Sequence, residues 1–274
     1  MRRLKVKNDF IFQRIFGRKE NKDILISFLN AIMELSDDNL LEDIEIIENT
    51  KLEKDRMEDK QGIVDVLAKT VAGVQITIEI QLINQYNMDK RTLFYWAKLF
   101  SDQLGEGRPF NDLKKTITIN ILDFDYVGIS DYHTVFHLWE DSHKYYKLTD
   151  VLEIHFVELS KFKKVQPDFK KPIDRWLLFL EDSPKEVLEM AIKEEPAIEK
   201  AEKVLEYLGT NEEMIRYYEL REKQIHDEIT RVTGAKEEKA IEIARNMISK
   251  GIDVITISEV TGLTRQEVNN LQEH

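Results

Sequence analysis

The chain has 274 residues, 42% of them hydrophobic and 34% charged, with no cysteine and a formal net charge of -12. This apolar content can support a sizeable core; the missing thiols exclude disulfides, zinc–thiolate sites and a cysteine nucleophile, and the acid excess argues against indiscriminate coating of nucleic acid. No apolar run approaches a membrane span and no apolar signal region follows Met1-Arg-Arg-Leu-Lys-Val-Lys7, so a soluble cytoplasmic protein with no membrane partner is expected.

Asn8 or Asp9 is expected to cap a short helix over Phe10 to Phe16, stopped by Gly17. A second helix follows between Asn21 and Leu35, where Ile24, Leu25, Phe28, Leu29, Ile32 and Met33 fall on one stripe. Ile44 to Ile47 starts a first strand, and the charged stretch Glu53 to Lys60 reads as a loop or strand end.

Two apolar runs come next, Ile63 to Ala68 and Val74 to Leu82, each carrying acid. A three-residue turn ending in Gly73 pairs Thr70 with Val74 and sets Asp65 opposite Glu79. Their side chains then share a face, roughly 5 Å apart at Cβ. Gln81 projects from the same face about 6 to 7 Å further on. Two carboxylates and an amide on a rigid sheet are a seat for a hard divalent cation. The competing reading makes Gln75, Thr77, Glu79 and Gln81 the solvated face of an amphipathic strand, with Ile76, Ile78, Ile80 and Leu82 inward. For that strand alone the amphipathic reading is the better one. Asp65 shifts the balance, because Ile63 and Leu67 share its face while Val64 and Val66 occupy the other.

A helix capped near Asn87 or Asp89 carries Leu93, Phe94, Ala97, Leu99, Phe100 and Leu104, with Arg91, Tyr95 and Lys98 along one side. Strands are expected at Thr116 to Leu122, Tyr132 to Trp139 and Glu153 to Leu159, closing an α/β domain over residues 1–172. Residues 173–274 read as a helical extension. Within it Thr210-Asn-Glu-Glu213 has the form of a capping box, and a long helix runs from Asn211 to about Lys250, weakest at Gly234. Two short helices, Val254 to Val260 and Arg265 to Leu271, flank a turn at Gly262 with Thr264 as cap, a helix-turn-helix-like ending. Met214, Ile215, Tyr218, Ile225 and Ile229 give the long helix more apolar surface than so small a tail can cover, and a homodimer is expected.

Basic residues concentrate at Arg2, Arg3, Lys5, Lys7, Arg14, Arg18 and Lys19, and again from Lys161 to Arg175. This distribution permits a nucleic-acid groove, although such runs are more often solvated faces. His133 and His137 have the spacing of helical zinc ligands, but they lie in a strand pattern, where i and i+4 stand roughly 13 Å apart. No Gly-rich phosphate loop or Gly-x-Ser-x-Gly elbow is present, so a nucleotide cofactor and serine-hydrolase chemistry have no support.

Several fragments, in this order and at these separations, resemble the PD-(D/E)XK nuclease superfamily and, more narrowly, its recombination-promoting nuclease group, the PD-(D/E)XK nuclease family transposases. They are Asp9-Phe-Ile-Phe with Phe16-Gly17, Phe28-Leu-Asn30, Val64-Asp65-Val66, Ile78-Glu-Ile-Gln81, Arg91 with Phe94-Tyr95, Gln103-Leu-Gly-Glu-Gly107, Phe156-Val-Glu-Leu159 with Lys161-Phe162, and Ile257-Ser-Glu-Val-Thr-Gly-Leu263. The resemblance covers nearly the whole chain. It implies a restriction-endonuclease-like mixed β-sheet flanked by helices, with a C-terminal all-helical extension. It also implies a Mg²⁺-dependent DNA endonuclease, with Mn²⁺ as an alternative ion, linked to recombination or mobile elements. The alternative is a catalytically weak or inactive nuclease fold that binds DNA or protein.

By the same resemblance Asp65 and Glu79 are metal ligands, and Gln81 stands where lysine is usual. Gln81 can position water but cannot carry charge. The missing cation is sought in Arg91, Lys69 or Lys60, with Arg91 preferred because a helix packed on a sheet is firmer than a loop. Tyr95 and Lys98 are candidate DNA contacts. Asp9 is a further acid whose more ordinary role is capping.

Overall fold

Asn8 adopts an extended conformation and its side chain accepts the N–H of Phe10, which starts α1 (Asp9–Phe16); Gly17 ends it by donating its N–H to the Gln13 carbonyl. Phe12 and Phe16 from α1 meet Phe28 from α2 (Lys22–Ile32) at ring-centroid distances of 4.7 to 6.1 Å. These contacts come from a computed structural model, which describes residues 3–47 and 65–272. The expected charged loop, with Lys60, and Ile63 and Val64 lie outside the described residues.

Six strands form one mixed sheet: β1 (Ile44–Ile46), β2 (Val66–Thr70), β3 (Gln75–Gln81), β4 (Thr116–Leu122), β5 (His133–Trp139) and β6 (Lys147–Glu158). Their order is β1-β2-β3-β4-β6-β5, with β3–β4 and β4–β6 parallel and the other pairs antiparallel. Gly73 turns the β2–β3 hairpin at a φ of +86°, where a side chain would be strained. The Thr70 N–H donates to the Val74 carbonyl at 2.9 Å, as the turn chemistry requires. β6 begins at Lys147, six residues before the expected start, because it keeps β5 as a partner through register shifts near Leu138.

The sheet's two faces have different covers. Ile76, Ile78, Ile80, Ile117, Ile119 and Ile121 join α1 and α2 in the main core. The opposite face, with Thr77, Glu79, Thr118 and Asn120, is also buried, because α3 (Met88–Ser101) lies over it. Thr92 donates to Asn120 Oδ1 at 3.0 Å, and the Trp96 indole donates to the Thr116 carbonyl at 2.9 Å. The amphipathic reading of β3 therefore fails, since its polar residues are roofed rather than solvated. The sheet-facing stripe of α3 is Met88, Thr92 and Trp96, and Leu93 and Phe94 are exposed.

After the single turn α4 (Leu159–Phe162) come α5 (Pro172–Leu180), α6 (Lys185–Glu194), α7 (Pro196–Leu208) and α8 (Glu212–Ser249). The main core runs on through them: Trp176 of α5 packs edge-on to Phe16 and Phe28, and Leu188, Ile198, Leu205 and Tyr218 belong to the same cluster. Asn211 rather than Thr210 caps α8, accepting the N–H groups of Glu213 and Met214; the Thr210 hydroxyl donates to the Tyr207 carbonyl instead. α8 passes through Gly234 without a break.

The chain divides into two compact units, Met1–Arg221 and Glu222–His274. The second has its own small core of Ala244, Ile257 and Val268. There Asp253 caps α9 (Val254–Thr261), Gly262 turns at a φ of +75°, and Thr264 and Glu267 exchange capping bonds at α10 (Arg265–Gln272).

Candidate active site

Many of the basic residues that permitted a nucleic-acid groove are engaged within the fold: Arg3 with Glu202, Lys7 and Lys163 with Asp123, Lys164 with Asp125, and buried Lys161 with Glu158. Lys161 also donates to the carbonyls of Val127 and Ile129 at 2.6 Å, so the buried ammonium is satisfied.

The acids of the hairpin behave differently. Val66 pairs with Ile78, and the charge of Glu79 acts on Asp65 one residue further on. Asp65 immediately precedes β2, and its Oδ2 accepts the Ile80 N–H at 2.7 Å, which pins the carboxylate to β3. Glu79 is 2% exposed beneath α3. From α3, Arg91 donates to Glu79 Oε1 at 3.1 Å and to Gln81 Oε1 at 3.4 Å. Its guanidinium lies 5.6 Å from the centre of the Tyr95 ring. Arg91 Nε is buried without a hydrogen-bond partner among the described residues.

Of the cations weighed for the lysine position, the structure brings in Arg91. Lys69 is four residues from Asp65, about 13 Å along the strand, and exposed beside Gln75. Tyr95 joins the site through Arg91, while Lys98 is exposed on the following turn of α3.

Two residues complete the cluster that sequence reasoning did not assemble. Asn8 takes the capping role of α1, and Asp9 is gripped by Arg221 of α8. Arg221 Nε lies 2.7 Å from Oδ1 and 2.9 Å from Oδ2, with Nη2 2.5 Å from Oδ2. Asp9 and Arg221 are 212 positions apart, beyond any local pattern. A usable signal did exist: Met214, Tyr218, Arg221 and Ile225 share one helical stripe, so Arg221 is a charge placed where apolar residues pack.

Burial raises the Asp65 carboxyl well above the ordinary carboxylate range. The charges of Asp9 and Glu79 push the same way, opposed by the Ile80 N–H and Arg221. Burial also raises Glu79, partly offset by Arg91. Two hard oxygen donors whose ionised forms are under strain suit a hard divalent cation. Among the described residues no three His, Asp or Glu side chains converge as a ready-made metal cage.

The architecture is that of a PD-(D/E)XK-type α/β protein: a mixed sheet flanked by helices, with acids on adjoining strands and a helical C-terminal region. The family model described as PD-(D/E)XK nuclease family transposase matches residues 6–235, and the chain belongs to that family. A second model, the Rpn/YhgA-like nuclease family C-terminal HTH domain, matches residues 237–273, which include α9 and α10. No curated protein and no solved structure matches the chain. Among the described residues no helix is long and apolar enough to cross a membrane.

Proposed function

We propose that this chain is a Mg²⁺-dependent DNA endonuclease, accepting Mn²⁺ as well, in which Asp65 and Glu79 hold the ion. The observation that carries the reading is a pair of buried acids, Asp65 held by the Ile80 N–H and within the field of Glu79, with Gln81 and Arg91 gathered beside Glu79. A divalent ion held there supplies charge neutralisation at the scissile phosphate and acidifies the attacking water.

The remaining work falls to the chain's own side chains. The Ile80 N–H holds Asp65 in one orientation, so the ligand needs no reorganisation. Gln81 accepts from Arg91 through Oε1, which leaves its amide N–H₂ to orient water. Arg91 bridges Glu79 and Gln81 and offsets charge that gathers on the phosphate, in the role that lysine usually fills. Tyr95 supports Arg91 and faces the DNA backbone, and Lys98 adds an exposed positive charge one turn on. The C-terminal HTH region supplies a second DNA contact, and the match to a nuclease family transposase model supports a link to recombination or mobile elements.

Assembly as a homodimer belongs to the same proposal. Met214 and Tyr218 are committed to the core, while α8 keeps partly buried Ile215 and Ile225 and exposed Leu220, Ile229 and Ile243. A monomer mass by light scattering at micromolar concentration would remove it.

The test is nicking and linearisation of supercoiled plasmid with Mg²⁺, Mn²⁺ or EDTA, comparing wild type with Asp65→Ala and Glu79→Ala. Cleavage that needs metal and is lost in both variants supports the reading. Equal activity in the variants exposes a contaminant, and inactivity of every sample favours a nuclease-fold binding module.

A further inference from the structure

The acid cluster draws on three chain segments: Asp9 opens α1, Asp65 precedes β2 and Glu79 lies within β3. Two guanidinium groups from two helices meet it, Arg91 on Glu79 and Arg221 on Asp9. The two clasps differ. Arg91 reaches one oxygen of Glu79, whereas Arg221 engages both oxygens of Asp9 through Nε and Nη2. Asp65, between them, has a backbone N–H as its hydrogen-bond donor and no cation at bonding distance among the described residues.

We infer that Arg221 is a positioning residue that stands in for a second metal ion, keeping Asp9 out of the coordination sphere and limiting the site to one divalent cation. This rests on the metal-binding reading of Asp65 and Glu79 given above. Charge sets the number of ions. Three ionised carboxylates against two guanidinium groups leave one net negative charge. One divalent cation turns this into one net positive charge, which the single negative charge of a phosphodiester neutralises. A second divalent ion would leave the centre with a large surplus of positive charge, and it would have to displace a bidentate guanidinium, the strongest form of carboxylate pairing. Paired acids that do accept two ions hold them about 3.5 to 4 Å apart with carboxylates between them. Here the third acid, Asp9, is taken by a guanidinium instead.

The inference reverses the ordinary expectation for a substitution beside a binding site, because removing Arg221 should increase the metal that the protein takes up. Mn²⁺ binding to the full chain, followed by calorimetry and by the electron paramagnetic resonance of free Mn²⁺, tests this without any cleavage. Wild type should bind about one equivalent and Arg221→Gln about two. Arg221→Lys should stay near one, because it restores the charge. Asp9→Asn/Arg221→Gln should return to about one, because both members of the pair are gone. A merely structural Arg221 would lower the melting temperature of the Lys and Gln variants alike and leave the Mn²⁺ count unchanged. An Arg221→Gln protein that binds one equivalent with a Kd within about twofold of wild type overturns the inference. So does a wild type that binds two equivalents, a result that needs no variant to be folded. Both outcomes leave the metal reading standing. Wild type that binds no Mn²⁺, or binds it equally well as Asp65→Asn, overturns the metal reading and this inference with it.

Discussion

The same sheet buries ionisable side chains in two places, and they are managed in opposite ways. At the outer edge, His133 Nε2 meets His155 Nδ1 at 3.0 Å, and His155 Nε2 meets Glu153 Oε1 at 2.8 Å. Glu153 Oε2 in turn receives His137 Nε2 at 3.1 Å and Lys115 Nζ at 2.6 Å. Burial works against the Glu153 charge, but bonds from His155 and Lys115 hold its pKa well below the carboxylate range. At the hairpin, burial and neighbouring acids push Asp65 the other way. The edge network answers its own charges, whereas the hairpin leaves a negative charge without a close counter-ion. An uncompensated charge costs stability and persists where a ligand can repay it; a closed network needs no ligand to explain it.

Activity should separate the regions most sharply. Asp65→Ala and Glu79→Ala are expected to lower metal-dependent nicking by about 10²- to 10³-fold, whereas Glu153→Ala should leave the initial rate within about threefold at a temperature where it is folded. A Glu153→Ala protein as inactive as Asp65→Ala would break the comparison. The stability cost falls the other way. Removing Glu153 strands His155, His137 and Lys115 together, and chemical denaturation should register a loss of about 3 kcal/mol.

Histidine titration sharpens the account of the edge. Burial and the neighbouring His155 lower the His133 pKa from 6.5 to about 4. Its contribution is therefore complete above about pH 6.5 and is lost as pH falls toward the folded value. Denaturation midpoints should drop by the equivalent of about 1 to 2 kcal/mol between pH 6.5 and 5, and His133→Asn should flatten that slope. An unchanged slope in the variant would move the titration to another group.

The smallest effect is expected at Asp65 in metal-free protein. Its folded pKa is raised, so its ionisation costs nothing below the unfolded value near 3.9 and destabilises increasingly as pH rises through the folded pKa. Asp65→Asn retains an acceptor for the Ile80 N–H and escapes that cost. It should melt above wild type at pH 8 with EDTA present, and together with wild type near pH 4. A lower melting temperature for Asp65→Asn at pH 8 would mean that the charge is already answered.

Much of the hairpin was legible because it is local. Alternation set the faces of β3 and Gly73 set the turn, which brings Asp65 alongside the part of β3 that carries Glu79 and Gln81. The helix ends around Gly17, Gly251 and Gly262 were legible for the same reason. The α3 stripe misled, because Leu93 and Phe94 look like core residues while the sheet below offers Thr116, Thr118 and Asn120, and Thr92 meets that surface through a hydrogen bond.

By itself the sequence determined the alternation, the turn and the placing of one acid before β2 and another within β3, because strand periodicity and glycine conformation act over a few residues. Only the tertiary structure decided that α3 roofs the acids and that Arg91 answers Glu79. It also decided that Trp176 and Tyr218 share a core with α1 and that Arg221 grips Asp9 across 212 positions. Those contacts join segments whose separation no local propensity records, and they form when burial of the intervening core brings the segments together.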